Sequence, residues 1–205
     1  MYNLVEDVTS RMMGMSLTMQ EKRVVVQGRA GTGKSFVLDM MSKIVRHRFG
    51  NDSVVVAAPT DEAAMVVGGR NLFTLFHISS KGIRFEALRG EFENHFRELH
   101  KNLKFIFIDE MSAIGSNTLY MIDQRCRQIF PNINEPFGGI TVYLFGDFLK
   151  LSPTNDEPIY STKLTAGRKL FDTFQIFKHF TQSMRHSGYD AKEFAGLLER
   201  LAIGI

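Results

Sequence analysis

The chain has 205 residues, room for one full domain at roughly 100–200 residues per domain. Hydrophobic residues make up 44% and charged residues 23%, which excludes a disordered or collagen-like chain. The 25 Lys+Arg against 22 Asp+Glu leave a net charge of +3, which permits nucleic-acid binding without arguing for it, and no apolar run approaches the roughly 20 residues of a membrane helix. Cys126 is the single cysteine, so an internal disulfide is excluded and a reducing compartment fits. The opening residues MYNLVEDVTSRMMGM lack the apolar stretch of a secretory signal, and Glu6 and Asp7 speak against a transit peptide. Residues 1–22 read as an N-terminal extension. With 18 Phe and no Trp, phenylalanine is expected to supply the bulk of the core.

Arg23–Gly28 (RVVVQG) is β-branched and ends at glycine, the pattern of a buried strand. From Gly33 to His47, apolar residues at 36, 37, 40, 41, 44 and 45 have helical spacing. Ser53–Pro59 is a second buried strand, after which the Thr60 hydroxyl is placed to cap a short helix through Val67. Residues 68–90 are rich in Gly and Arg and read as irregular. A helix is expected from Glu91 to His100, with Phe92, Phe96 and Leu99 on one face. Lys104–Glu110 (KFIFIDE) is a third buried strand ending in two acids. Ser116 is expected to cap a helix carrying Leu119, Ile122 and Ile129 in phase, and Ile140–Asp147 (ITVYLFGD) is a fourth strand. Near the end, Asp190 and Glu193 form a capping box ahead of a stripe of Phe194, Leu197, Leu198 and Leu201.

Continuous apolar strands alternating with helices predict an α/β fold, a parallel sheet with helices on both faces. Ligands of such sheets bind beyond the carboxyl ends of the strands, where each motif below falls.

Gly28-Arg29-Ala30-Gly31-Thr32-Gly33-Lys34-Ser35 satisfies G-x-x-x-x-G-K-[ST] between a strand and a helix, as that motif requires. Its glycines let backbone N–H groups turn inward around an anion, and the helix start adds partial positive charge. Gly28, Ala30, Gly31, Thr32, Gly33, Lys34 and Ser35 are thus the candidate phosphate cradle. Lys34 can reach the β- and γ-phosphates, and Ser35 can hold Mg²⁺. Asp109 and Glu110 close the third strand. An acid there can hold Mg²⁺ opposite the loop, and a second can polarise an attacking water. Lys34, Asp109 and Glu110 are the catalytic candidates.

With both sites placed, longer segments become comparable. Asp109–Gly115 (DEMSAIG) resembles the DE-x-S-M-[VI]-G box of Pif-family DNA helicases, superfamily 1 enzymes related to RecD and to the helicase of Helitron transposons. Phe137–Thr154 (FGGITVYLFGDFLKLSPT) resembles their FGG…LFGDF-x-QLPPV segment, Ala58–Ala64 (APTDEAA) is similar to their APTGxAA, and Ser183–Leu201 is similar to their RQ…D..F..LL..LR segment. The likeness runs over residues 23–204 with the motifs in family order.

The resemblance implies a P-loop NTPase fold built from two RecA-like domains with ATP in the cleft between them. Residues 23–205 resemble the first, domain 1A, and the second lies beyond what this chain resembles, so it reads as a motor-domain fragment. It implies ATP and Mg²⁺ as cofactors, 5′-to-3′ translocation on single-stranded DNA or DNA with a 5′ single-stranded tail, no membrane partner, and roles in DNA repair, recombination and telomere maintenance. The nucleus is the first expectation for compartment. It also implies an arginine, Arg185, projecting toward the γ-phosphate. Asp147 would lie near the same cleft, although a strand-end acid satisfied by a backbone N–H reads equally well. Pro59, Thr60 and His77 would lie on the DNA track, His77 reading equally as a partly buried structural residue. A catalytically impaired nucleotide-binding remnant and a generic P-loop ATPase are the alternatives.

The chain departs from the family pattern at several positions. Lys150 stands where the family has the Gln that couples the γ-phosphate to DNA. A lysine can reach a phosphate as a point charge but cannot accept a hydrogen bond. The family's Arg-Gln is Arg185-His186, the Gly of its PTG is Asp61, followed by Glu62, and its T-x-H is stretched to Thr74-Leu75-Phe76-His77. The adenine-reading Gln upstream of the loop has no well-spaced match, Gln20 lying only eight residues before Gly28. The hydrolysis residues are intact, and the departures collect where ATP is coupled to DNA.

Overall fold

The computed structural model describes residues 22–80 and 84–181. The expectations at Gln20, at Arg185 and His186, and for the helix after Asp190 lie outside the described residues. Six strands form one sheet: β1 (Arg23–Gly28), β2 (Val54–Ala58), β3 (Arg70–Asn71), β4 (Phe105–Ile108), β5 (Thr141–Gly146) and β6 (Ile176–Phe180). Their order is β3-β2-β4-β5-β1-β6, and every pairing is parallel. Among the described residues six α-helices connect them: α1 (Lys34–Phe49), α2 (Asp61–Val66), α3 (Leu72–Leu75), α4 (Gly90–His100), α5 (Ser116–Ile129) and α6 (Ala166–Phe171). No described helix is long and apolar enough to cross a membrane.

The central strands are apolar on both sides because helices cover both faces. Alternate residues divide between two cores, as the period of two along a strand requires. Val24, Val26, Phe105, Phe107, Tyr143 and Phe145 pack under Val37, Leu38, Met41 and Val45 of α1. Val25, Ile106, Ile108, Val142 and Leu144 face Leu119, Ile122, Cys126 and Ile129 of α5. Aromatic rings, most of them phenylalanine, supply much of this bulk: Phe105, Phe107, Tyr143 and Phe145 meet tilted, edge-to-face or stacked under α1, and Phe137, Phe171 and Phe174 meet edge-to-face or stacked on the other side.

Several expectations are corrected. Residues 68–90 contain β3 and α3, the latter capped by Asn71, whose Oδ1 accepts from the Phe73 and Thr74 N–H groups. On α4, Phe92 and Leu99 are exposed, and the buried pair is Phe96 and His100. His100 Nδ1 donates to the Phe96 carbonyl at 3.0 Å, and burial pushes its pKa below the usual histidine range. Ser116 does not cap α5. Gly115 occupies the cap position, and Asp156, distant in sequence, accepts from the N–H groups of Asn117 and Thr118 at 3.0 and 2.8 Å. The strand β6 and helix α6 complete the fold beyond the four strands read from the sequence.

Candidate nucleotide site

An all-parallel sheet delivers the carboxyl ends of its strands to one edge. Along that edge stand, in order, Pro59 and Thr60 after β2, Asp109 and Glu110 after β4, Asp147 after β5, and the glycine-rich loop after β1. One strand, β5, separates β4 from β1, so the acids and the loop are two strand spacings, about 10 Å, apart. That gap suits a metal-bound phosphate between them.

The loop is shaped before any ligand arrives. Gly31 and Gly33 take φ of 82° and 89°, a region open to glycine without strain. Gly28 is a matter of space: a Cβ there would lie 2.7 Å from Thr32 Oγ1 and 2.8 Å from Phe180 Cβ. Thr32 is buried, and its hydroxyl donates to the Arg29 carbonyl at 2.8 Å, while Ala30 and Ser35 are exposed. Gly33 starts α1, and among the described residues no side chain caps it, so the first N–H groups of the helix remain for an anion. Lys34 is buried, and its Nζ donates to the carbonyls of Gly28 and Arg29 at 2.5 and 2.9 Å. Burial pushes its pKa below the usual lysine range. Asp109, Asp147 and Glu110 oppose that shift, and the positive charge of Lys150 adds to it. The loop lysine therefore lies within electrostatic reach of Asp109, Glu110, Asp147 and Lys150.

Asp109 is buried, with one hydrogen bond to its carboxylate, from the Glu110 N–H to Oδ1 at 2.9 Å. Burial raises its pKa, the Glu110 N–H opposes the rise, the Glu110 charge adds to it, and Lys34 and Lys150 oppose it. A carboxylate so desolvated suits a divalent cation, and oxygen donors such as Asp109 and the Ser35 hydroxyl suit Mg²⁺. Among the described residues, no group of three or more His, Cys, Asp or Glu could hold a metal ion. A hydroxyl, a carboxylate and phosphate oxygens would make such a site, as magnesium often requires.

Glu110 takes a left-handed conformation, φ 54° and ψ 47°, uncommon for a side chain of its size. Its carbonyl accepts from the Ala113 N–H at 3.0 Å. Its carboxylate is paired with another lysine: both oxygens accept from Lys150 Nζ, at 2.5 and 2.8 Å. Lys150, a phosphate-binding candidate in the sequence, is thus held on the carboxylate. Asp147 is buried and satisfied by the Leu149 N–H at 3.1 Å and by Gln27 Nε2 at 3.0 Å, the strand-end reading, while its charge still reaches Lys34.

A groove of about 670 Å³ runs from Pro59, Thr60, Glu62, Ala63 and Val66 to Glu110 and Lys150. Pro59 is buried although it lines the groove, and the Thr60 hydroxyl accepts from the Ala63 N–H at 3.2 Å to cap α2. Asp61 and Glu62 sit in the first turn of α2, where negative charge is favourable. His77 is not among the groove's lining residues. It lies after α3, exposed, with φ 47°, its ring edge-on to Phe92 and Phe96. The partial loss of water beside those rings, and then the charges of Arg125 and Arg70, lower its pKa.

Two functional neighbours escaped the sequence reading. Gln27 holds Asp147 and accepts from the Phe148 N–H at 3.2 Å. The signal was there, a lone polar residue ending an apolar strand beside the phosphate motif. Arg125 is fully buried and pins the His77 segment, donating to the carbonyls of Phe76 at 2.8 Å, His77 at 2.9 Å and Glu86 at 3.0 Å. Nothing local in the sequence distinguishes it from the exposed cations of a helix.

Comparison with known proteins places this geometry in context. The family model for PIF1-like helicases matches residues 5–204. The ATP-dependent DNA helicase RRM3 of Saccharomyces cerevisiae is 32% identical over 150 residues, covering 67% of this chain and 21% of that protein. The ATP-dependent DNA helicase PIF1 of the same species is 29% identical over 179 residues, covering 86% of this chain and again 21% of the relative. The crystal structure of Pif1 helicase from Bacteroides, in complex with ADP-AlF3 and ssDNA, superposes with a TM-score of 0.69 at 26% identity, over 97% of this chain and 45% of that one. The sheet is therefore that of a RecA-like P-loop NTPase, as the sequence predicted. The chain spans about a fifth of these curated relatives. A family match over nearly its whole length, with the loop and paired acids on one sheet edge, makes this chain a member of the PIF1-like helicase family.

Proposed function

We propose that the chain binds Mg-ATP in the loop after β1 and hydrolyses it as the first RecA-like motor domain, residues 23–205, of an ATP-dependent 5′-to-3′ DNA helicase. The observation that carries the reading is the shared sheet edge, on which the loop of Lys34 after β1 and Asp109 after β4 stand either side of β5. In this reading the N–H groups of Gly31, Thr32 and Gly33 and the start of α1 bind the phosphates. Lys34 exchanges its carbonyl partners for β- and γ-phosphate oxygens. Ser35 and Asp109 would hold Mg²⁺, which when bound neutralises charge on the phosphates. Glu110 accepts a proton from the attacking water as its oxygen bonds to the γ-phosphorus. The bond to the bridging oxygen breaks, and its electron pair leaves on ADP. Arg185, outside the described residues, would neutralise charge on the transferred group.

Single-stranded DNA, or duplex DNA with a 5′ single-stranded tail, would cross the groove at Pro59 and Thr60, with His77 further along. The reading is supported by the relatives being named DNA helicases and by the Bacteroides enzyme having been solved with ssDNA. Roles in DNA repair, recombination and telomere maintenance, and a nuclear location, belong to the same proposal.

The test is the ATPase rate with and without single-stranded DNA, for wild type and Glu110→Gln. Turnover stimulated by DNA and lost in the variant is expected. Turnover indifferent to DNA would instead identify a generic P-loop ATPase. A second reading, a nucleotide-binding domain with suppressed turnover, is favoured by the Lys150–Glu110 ion pair, and binding without turnover would support it.

A further inference from the structure

We infer that Lys150 is shared between Glu110 and the terminal phosphate of a bound nucleoside triphosphate, so that the carboxylate stays paired until a γ-phosphate draws the ammonium away. The inference rests on the nucleotide site proposed above and adds a regulatory contact to it. Both carboxylate oxygens of Glu110 accept from the one Nζ, at 2.5 and 2.8 Å. The ammonium takes a lone pair on each oxygen, so a water giving its proton to Glu110 must compete with Lys150. The contact is built to open. The two side chains are 40% and 34% exposed, and an ion pair that open to solvent is weakly held. Lys150 sits in the turn after β5, its N–H bonded to the Asp147 carbonyl at 3.1 Å, and its charge already acts on Lys34 and Asp109 at the phosphate end of the edge. Both backbones are held, that of Glu110 by its left-handed conformation and the Ala113 N–H, but the ammonium hangs on four methylenes and the carboxylate on two. The lysine is the partner free to move, and a triphosphate brings more negative charge than the single carboxylate it now faces. ADP lacks the group that competes.

The prediction is a thermodynamic cycle in nucleotide binding, measured by calorimetry with ADP and with a non-hydrolysable imido analogue of ATP. Glu110→Gln releases Lys150 and should tighten the analogue about three- to fivefold while leaving ADP within about twofold. In the Lys150→Ala background the same Glu110→Gln change should leave the analogue unchanged. Tightening of equal size in both backgrounds would overturn the inference, since Glu110 would then act only by repelling the phosphate. No tightening in either would overturn it as well. A wild-type protein that binds neither nucleotide would overturn the site itself, an outcome separate from a site that binds ATP without this coupling.

Discussion

Gln27 and Asp147 tie the end of β1 to the end of β5. Nε2 of Gln27 donates to Asp147 Oδ1 at 3.0 Å, and Oε1 of Gln27 accepts from the Phe148 N–H at 3.2 Å. The amide thus joins the strand that carries the phosphate loop to the turn that carries Lys150, so that the two cannot shift independently.

Replacing Asp147 with Ala strands the half-buried amide donor of Gln27 and the Leu149 N–H. The cost should be about 1–3 kcal/mol, read as a lower urea midpoint at unchanged slope. Gln27→Ala should cost a similar amount. Because the two residues share one hydrogen bond, the double variant should lose less than the sum.

Asp109 makes a prediction about pH. Burial raises its pKa, so the folded chain takes up this proton at higher pH than the unfolded chain does. Stability therefore falls as pH rises from the ordinary carboxylate range, about 3.9, through the raised folded value, and the full cost is carried at neutral pH. Asp109→Asn removes that cost and can still accept from the Glu110 N–H. In nucleotide-free protein its melting temperature should exceed that of wild type at pH 7, with the gap closing toward pH 4. Thermal melts across pH check this. A variant less stable than wild type at pH 7 would show that burial is not the dominant influence.

Arg125 is buried and supports the fold, although among the described residues no carboxylate is hydrogen-bonded to it. Its guanidinium satisfies the carbonyls of Phe76, His77 and Glu86, donates to Gln128 Oε1, and lies 4.8 Å from the Phe85 ring centre. Arg125→Leu should cost on the order of 3 kcal/mol or more, since three carbonyls lose their donor. Hydrogen exchange should locate the loss in residues 76–80 and in α4, where the rings of Phe92 and Phe96 meet His77.

Arg23 is the opposite case. It is 2% exposed, and among the described residues its Nε and Nη1 have no hydrogen-bond partner. The nearby acids have partners of their own: Glu135 pairs with Lys22 at 2.8 Å, and Asp123 with Arg127 at 2.7 Å. Arg23→Met should therefore change stability by less than about 1 kcal/mol, or raise it. A loss above about 2 kcal/mol by urea denaturation would show that the guanidinium is compensated after all.

The parts of the fold legible in the sequence are those where one physical signal dominates. β1, β4 and β5 are buried on both faces and so are written as unbroken apolar runs. β6 is an edge strand whose IFKHF alternates between half-buried and exposed positions, and β3 is two residues long, so neither carries such a run. Ser116 has the chemistry of a cap, but the cap that α5 uses comes from Asp156, which local reading cannot see. Phe92 and Leu99 share the periodicity of a buried face, yet α4 buries Phe96 and His100, because packing of neighbouring elements decides which part of a stripe is covered. The phosphate loop and the paired acids were legible because their residue types are set by chemistry at strand ends. The pairing of Lys150 with Glu110 was not, since it joins two turns 40 residues apart.

The most direct test of the account is ATP binding with and without Mg²⁺, followed as thermal stabilisation of wild type, Lys34→Ala and Asp109→Asn. At about 100 times the dissociation constant, ATP should stabilise the wild-type protein by about 2.7 kcal/mol. That gain should vanish in Lys34→Ala and lose its Mg²⁺ dependence in Asp109→Asn. Full Mg²⁺-dependent stabilisation of both variants would place the nucleotide elsewhere and contradict the account.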